Sequence, residues 1–158
     1  MSNAVTITAP EGLPFIDIER EFNAPVDAVY RAYADPELLK LWTGPNGYEM
    51  EITDYDFSSG GRYRYVHRDP AGEEFAFRGT FHTVRENEVV IQTFEFEGFP
   101  DVVSIERMTL TDLGGGRSKI SGHSVFPSVE ARDGMIASDM ETGVVEGYER
   151  LDQVLAAG

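Results

Sequence analysis

Two side chains in this sequence, His67 and Glu106, could exchange a proton inside an apolar interior. In "GRYRYVHR", strand alternation places His67 on the same face as Tyr63 and Tyr65, and in "SIERMTL" it places Glu106 beside Met108. A histidine or glutamate whose pKa is changed by burial can act as a general acid or base. The structural interpretation is the more economical one: His67 lies near the open rim of the sheet, and Glu106 pairs with an arginine or reaches water.

Other kinds of chemistry have no support in the sequence. His67, His82 and His123 are single residues on separate predicted strands, so we expect no metal site. Neither His67 nor Glu106 has a spaced partner of the kind that forms a catalytic triad. The glycine runs "SSGG" and "LGGGR" lie between strands and do not open a helix, so they predict turns and no nucleotide cofactor.

Composition limits the class of protein. The chain has 158 residues, 13 Lys and Arg against 28 Asp and Glu, a formal net charge of -15 and no cysteine. Such charge repels nucleic acid and anionic membranes, so we expect neither partner. The absence of cysteine, of a signal peptide and of a membrane span favours a cytoplasmic protein. "MSNA" is typical of an expression-tag remnant, so residues 1–12 are set apart as tag remnant and N-terminal extension. Residues 13–158 are predicted to form one domain. We expect the protein to be a monomer or a homodimer.

Changes of hydrophobic period divide the chain into elements. "PFIDIEREFN" alternates with a period of two and predicts a half-buried strand. "APVDAVYRAYADPELLKLW" then predicts two short helices, which begin near Pro25 and Pro36. Residues 48 to 126 form strands separated by turn clusters, and neighbouring strands should pair in antiparallel fashion. Ser128 can cap a first turn, and Ser138 with Glu141 predicts a capping box for a long C-terminal helix.

These elements predict an α+β fold in which a bent antiparallel sheet wraps around the C-terminal helix, with the two short helices closing one end. Gly143 and Gly147 lie on the buried side of that helix. Either the helix backbone packs closely on Phe and Tyr rings of the sheet, or the missing side chains leave a cavity.

Three segments carry a resemblance to a known family: "FNAPVDAVYRAYADPELLKLWTGPNG", "GGRYRYVHRDPAGEEFAFRGTF" and "METGVVEGYERLDQVL". They resemble the Hsp90 ATPase activator homologue 1-like branch of the START/polyketide-cyclase superfamily, over about residues 13 to 156. The resemblance implies a helix-grip (START/Bet v 1-like) fold, with seven antiparallel strands and a deep pocket for an apolar ligand. It therefore favours the cavity alternative for the two glycines. Eukaryotic co-chaperone members carry an additional N-terminal domain, for which this sequence has no room, so we do not expect Hsp90 activation.

The resemblance and the strand faces together imply a set of ligand-binding residues. They are Trp42, Tyr63, Tyr65, His67, Phe77, Phe81, Phe94, Phe96, Glu106, Met108, Val144, Gly147 and Tyr148.

Three functions fit this prediction. The first is binding of an apolar small molecule that is lipid-like, aromatic or polyketide-like. The second is an enzyme of the cyclase or hydrolase kind that uses Glu106, His67 or Tyr148 as acid or base. The third is a protein-interaction module, either a chaperone partner or a regulator, whose cavity is incidental. A large closed pocket favours the first, a buried acid or base facing empty space the second, and a filled core with an exposed apolar patch the third.

Overall fold

The computed structural model describes residues 3–158 as one curved, unclosed antiparallel sheet and four helices. The strands are β1 (Thr6–Thr8), β2 (Phe15–Phe22), β3 (Glu49–Tyr55), β4 (Arg62–Arg68), β5 (Glu74–Arg85), β6 (Val89–Phe96), β7 (Val103–Gly114) and β8 (Arg117–Val125). The helices are α1 (Val26–Ala34), α2 (Pro36–Trp42), α3 (Val129–Ala137) and α4 (Met140–Ala157).

The strand order is β1-β2-β8-β7-β6-β5-β4-β3, and every pair is antiparallel. This confirms the α+β helix-grip fold and the pairing of sequence neighbours from β3 to β8. The sheet has eight strands where the resemblance implies seven. The additional strand is β1, which pairs with β2 from within the segment set apart as an extension.

The two short helices connect β2 to β3 across one end of the sheet. Asp35 and Pro36 act as predicted, because the Asp35 carboxylate accepts a hydrogen bond from the Glu37 backbone N–H (2.9 Å) and Pro36 is the first residue of α2. Helix α2 ends at Trp42, whose indole N–H donates to the Ala32 carbonyl of α1 (3.1 Å). The last residue of α2 is thereby fixed against α1.

The start of the C-terminal helix differs from the sequence prediction. Ser128 caps a separate helix, α3, by accepting a hydrogen bond from the Ala131 N–H (3.0 Å). Ser138 ends α3, and its hydroxyl donates back to the Met135 carbonyl, so the predicted capping box with Glu141 does not form. Asp139, in the left-handed conformation (φ 63°), separates α3 from α4.

The main core fills one end of the fold. Leu151 of α4 is fully buried and belongs to the same apolar cluster as Phe22 and Ile120 of the sheet and Val29 of α1. Arg20 reinforces this junction, since its side chain is buried and donates two hydrogen bonds, each 2.6 Å, to the Asp152 carboxylate. Helix α4 is thus attached to β2 by a bidentate ion pair as well as by apolar packing.

Removing one partner of that ion pair should be costly. Asp152→Ala leaves the buried Arg20 guanidinium without its carboxylate, and we expect a loss of about 2 kcal/mol in the free energy of unfolding. Urea denaturation measures this loss. Glu149→Ala removes the same charge from an exposed position of α4 and should change stability by less than about 0.5 kcal/mol. Equal effects of the two substitutions would contradict a structural role for the pair.

Candidate functional site

A cavity of about 240 Å³ lies between the inner face of the sheet and the helices. Tyr33 of α1, Trp42 of α2 and Tyr148 of α4 cover it, and Phe81 and Met108 belong to its floor in the sheet. An engineered cavity of about 150 Å³ binds benzene, so this one has room for about two fused rings. Its lining is mainly aromatic.

Eight of the thirteen predicted ligand-binding residues line this cavity: Trp42, Tyr63, Tyr65, Phe81, Phe94, Glu106, Met108 and Tyr148. Strand alternation found most of them, because each strand residue of this set lies on the face that the period of two predicts. Phe77 lies behind this lining, with its ring centroid 5.4 Å from that of Tyr65 and 5.3 Å from that of Phe94. Phe96 lines a separate groove beside α3.

Gly143 and Gly147 allow α4 to pack closely on a neighbouring loop, which the sequence did not predict. A methyl group at Gly147 would lie 3.1 Å from the Trp42 carbonyl oxygen, and one at Gly143 would lie 3.6 Å from the Pro45 side chain. Arg150, on the next turn, donates to the same Trp42 carbonyl (2.9 Å). The glycine side of α4 therefore packs on the backbone of the loop after α2. The favoured expectation, a cavity beneath the two glycines, is wrong. The helix packs closely here, but its partner is this loop and not the aromatic rings, and neither Gly147 nor Val144 lines the cavity.

A different glycine does line it. Gly122 of β8 lies between Ile18 of β2 and Met108 of β7 in the sheet register. A methyl group at Gly122 would have ordinary contacts only, at 3.8 and 3.9 Å from atoms of Ile18. The missing side chain at this position contributes to the space in the cavity. The signal for it was a glycine in the middle of "KISGHSV", where a strand interior is otherwise weakened by glycine.

Glu106 is the acidic group of the cavity lining. Its two carboxylate oxygens are each 3.4 Å from one donor, the Gln92 side-chain N–H and the Ser124 hydroxyl. Burial raises the pKa of Glu106 to about 7, against a small opposing effect of the Ser124 hydrogen bond. The expected arginine partner is absent from residues 3–158: the ion pairs found there do not include Glu106. The prediction that Glu106 pairs with an arginine is therefore wrong.

Gln92 connects Glu106 to the tyrosines. Its amide also donates to the Tyr63 hydroxyl (3.0 Å), which in turn donates to the Thr93 carbonyl (2.6 Å). Burial, reinforced by the nearby Glu106 carboxyl, raises the pKa of Tyr63 and Tyr65 far above the usual value. These tyrosines therefore remain protonated hydrogen-bonding groups at neutral pH.

His67 lies elsewhere and is buried, not at the rim. Its ring packs on the backbone of Gly44 and is flanked by Tyr48 and Tyr65 (centroids 6.4 and 5.1 Å away). Its Nε2 atom has no hydrogen-bond partner among residues 3–158. Burial and, secondarily, the nearby Arg150 lower the pKa of His67 to about 4. His67 is thus a neutral core residue under the loop that follows Trp42, and it does not line the cavity.

Comparison with known proteins identifies the family. The family model described as activator of Hsp90 ATPase homolog 1-like protein matches residues 23–156. The chain belongs to this family. The resemblance to this family that was read from the three sequence segments is confirmed. A comparison with curated proteins found no significant match.

Solved structures share the fold of this Hsp90-activator-homolog-like domain. A protein from Rhodobacter sphaeroides is 25% identical, with 98% of this chain and 99% of that one covered and a TM-score of 0.86. Protein Ms6760 from Mycobacterium smegmatis is 26% identical, with the same coverage and a TM-score of 0.87. DynU16, a protein of the dynemicin biosynthetic locus, is 20% identical over 90% of this chain and 47% of DynU16, with a TM-score of 0.67. At that identity the likeness to DynU16 concerns the fold alone.

In this family member, several cavity residues were missed by sequence reasoning. They are Ile18, Tyr33, Leu39, Met50, Tyr55, Phe57, Val90, Gln92, Gly122 and Ser124. Half of these come from β2, α1, β3 and the loop after β3, whose position at the cavity depends on long-range packing. Within the described range, no three His, Asp or Glu side chains gather at metal-binding distances, and no helix is long and apolar enough to span a bilayer.

Proposed function

We propose that this domain binds a small, largely apolar molecule in the cavity between sheet and helices, with one polar group of the ligand facing Glu106. The observation that carries this proposal is the aromatic cavity of about 240 Å³ with one carboxyl group in its wall. Close-packed interiors rarely contain voids larger than a water molecule. A cavity lined mainly by apolar and aromatic side chains, with a few polar groups, is typical of ligand sites.

The polar groups of the wall are gathered on neighbouring strands. Gln92 of β6 and Ser124 of β8 flank Glu106 of β7, and Tyr63 of β4 contacts Gln92. Apart from Thr43, Arg107 and His123, the remaining lining is apolar or aromatic, from Leu39 and Trp42 on the helix side to Ile120 in the sheet. A ligand would therefore be oriented by one end, while its size and apolar character would be selected by the rest.

Two glycine substitutions test the cavity. Gly122→Leu places a side chain in the empty space; we expect stability within about 1 kcal/mol of wild type and loss of binding of prodan, a neutral two-ring fluorescent probe. Gly147→Leu is the matched control: it forces a side chain against the Trp42 carbonyl and should cost roughly 1 to 3 kcal/mol. Urea unfolding and probe fluorescence measure both effects.

The reverse outcome would contradict the proposal. If Gly122→Leu binds prodan as well as wild type, the cavity is not the binding site. If wild type binds no apolar probe at all, the cavity has no ligand-binding role. Native mass spectrometry of protein purified from its own host would then show whether any small molecule is carried.

A second function is favoured by one observation, the pKa of about 7 at Glu106. A carboxyl group with that pKa can accept and return a proton near neutral pH, as an enzyme of the cyclase or hydrolase kind requires. Tyr148 also lines the cavity and stays a candidate hydrogen-bond donor, whereas His67 lies outside it. Turnover of the carried compound by wild type, lost in Glu106→Gln with binding retained, would favour the enzyme over the carrier.

A further inference from the structure

In the cavity wall, the Glu106 carboxylate has no positively charged partner among residues 3–158. Within the part of the chain that the structure describes, Glu106 receives hydrogen bonds only from the neutral donors Gln92 and Ser124, both at 3.4 Å. The buried Arg20, on β2, does not compensate this carboxyl group, because its two terminal nitrogens are engaged by Asp152 at 2.6 Å. Arg107 and His123 touch the edge of the cavity from the other face of the sheet, and both are exposed.

The groups that surround Glu106 on the other elements are neutral and aromatic. The Tyr33 ring of α1, the Tyr148 ring of α4 and the Tyr65 ring of β4 line the same cavity, and their phenol groups are close enough to be influenced by the Glu106 charge. Trp42 lies between Tyr33 and Tyr148, at ring-centroid distances of 4.9 and 6.2 Å. Aromatic rings attract cations through their quadrupoles, most strongly where water is excluded.

We infer that the ligand is an apolar amine or quaternary ammonium compound, whose positive charge lies against Glu106 inside the aromatic wall. This inference rests on the proposed binding function and names its ligand class. A cation would provide the counter-charge that the protein does not, and it would receive cation–π attraction from the rings. A neutral ligand would favour the protonated form of Glu106, and an anionic one would be repelled by the carboxylate.

The inference predicts a proton-linked affinity. A cation binds the ionised form of Glu106, so its affinity should rise as pH passes upward through about 7, the pKa of the free site. A neutral ligand of the same shape has no such requirement. The rim groups Arg107 and His123 also act on a cation and not on a neutral ligand, so the variant Glu106→Gln, which keeps both of them, isolates the contribution of Glu106.

Phenyltrimethylammonium and tert-butylbenzene form a matched pair, because they have the same shape and differ in charge. Each is titrated against wild-type protein carrying prodan, and displacement is followed by fluorescence at pH 8 and pH 5.5. We expect the cation to bind at least tenfold more tightly than tert-butylbenzene at pH 8, and this ratio to fall at least fivefold at pH 5.5. Glu106→Gln should remove both the preference and its pH dependence.

Long-range attraction by the net charge of -15 is a competing cause, and Glu149→Gln controls for it by the same charge change at an exposed site. Glu149→Gln should behave as wild type in 150 mM salt.

Displacement by tert-butylbenzene but not by the cation would overturn the inference and leave the proposed function intact. Binding of neither compound, nor of prodan, would overturn both. A cation preference that survives in Glu106→Gln would also overturn the inference, since the charge would then act from elsewhere.

Discussion

Replacing Glu106 with glutamine should stabilise the ligand-free protein by about 3.5 kcal/mol at pH 8 and by about 1 kcal/mol at pH 5. The pKa of Glu106 is about 7 in the folded protein, against about 4.3 for a glutamate in an unfolded chain. Because the folded pKa is the higher one, the stability contributed by protonated Glu106 is fully present below pH 4 and is lost as pH rises through 7. Glutamine resembles the protonated acid and has no charge to lose.

Urea denaturation at several pH values between 5 and 8.5 measures the effect. The stabilisation should grow with pH and level off above about pH 8. The protein must be free of ligand, since a bound cation would stabilise the ionised carboxylate and reduce the difference. A stabilisation that does not vary with pH would mean that the Glu106 carboxyl group is solvated, and the cavity would then lack the dry carboxyl group on which its ligand chemistry depends.

The sequence predicted the parts of the fold that are determined locally. Period-two alternation identified β2 and the inward faces of β4, β5 and β7, and the Asp35-Pro36 pair marked the start of α2. These signals depend on residues that are neighbours along the chain. The capping box at Ser138 failed because Ser138 hydrogen-bonds backward to Met135, and the end of α3 competes for the same residue.

The parts of the site that depend on packing could not be predicted. Gly147 and Gly122 are both glycines on inward faces, yet one lies against the backbone of Trp42 and the other faces empty space. No local pattern distinguishes these two cases, because the difference comes from a loop more than 100 residues away in sequence, after α2. The same long-range placement buries His67 beneath Gly44, where sequence reasoning expected an exposed rim.

Replacing His67 with leucine should remove a loss of folding stability that occurs as pH falls. The pKa of His67 is about 4 when folded and about 6.5 when unfolded, because its ring is buried and Arg150 lies nearby. The folded pKa is the lower one, so the contribution to stability is present above pH 6.5 and is lost as pH falls toward 4. Between pH 8 and pH 5 this loss amounts to about 2 kcal/mol, and leucine, which does not titrate, should abolish it.

The measured quantity is the change in unfolding free energy between pH 8 and pH 5, in which any packing cost of leucine that is independent of pH cancels. His67 and Glu106 act in opposite directions over this range, so their contributions largely cancel in wild type. Relative to wild type, His67→Leu should become more stable toward pH 5 by about 2 kcal/mol, and Glu106→Gln less stable by about 2.5 kcal/mol. The double variant should return close to the wild-type dependence on pH, provided that the two sites act independently. If His67→Leu instead has the same dependence on pH as wild type while Glu106→Gln differs from it, the imidazole is reached by water, and the loop after Trp42 is not closed over it.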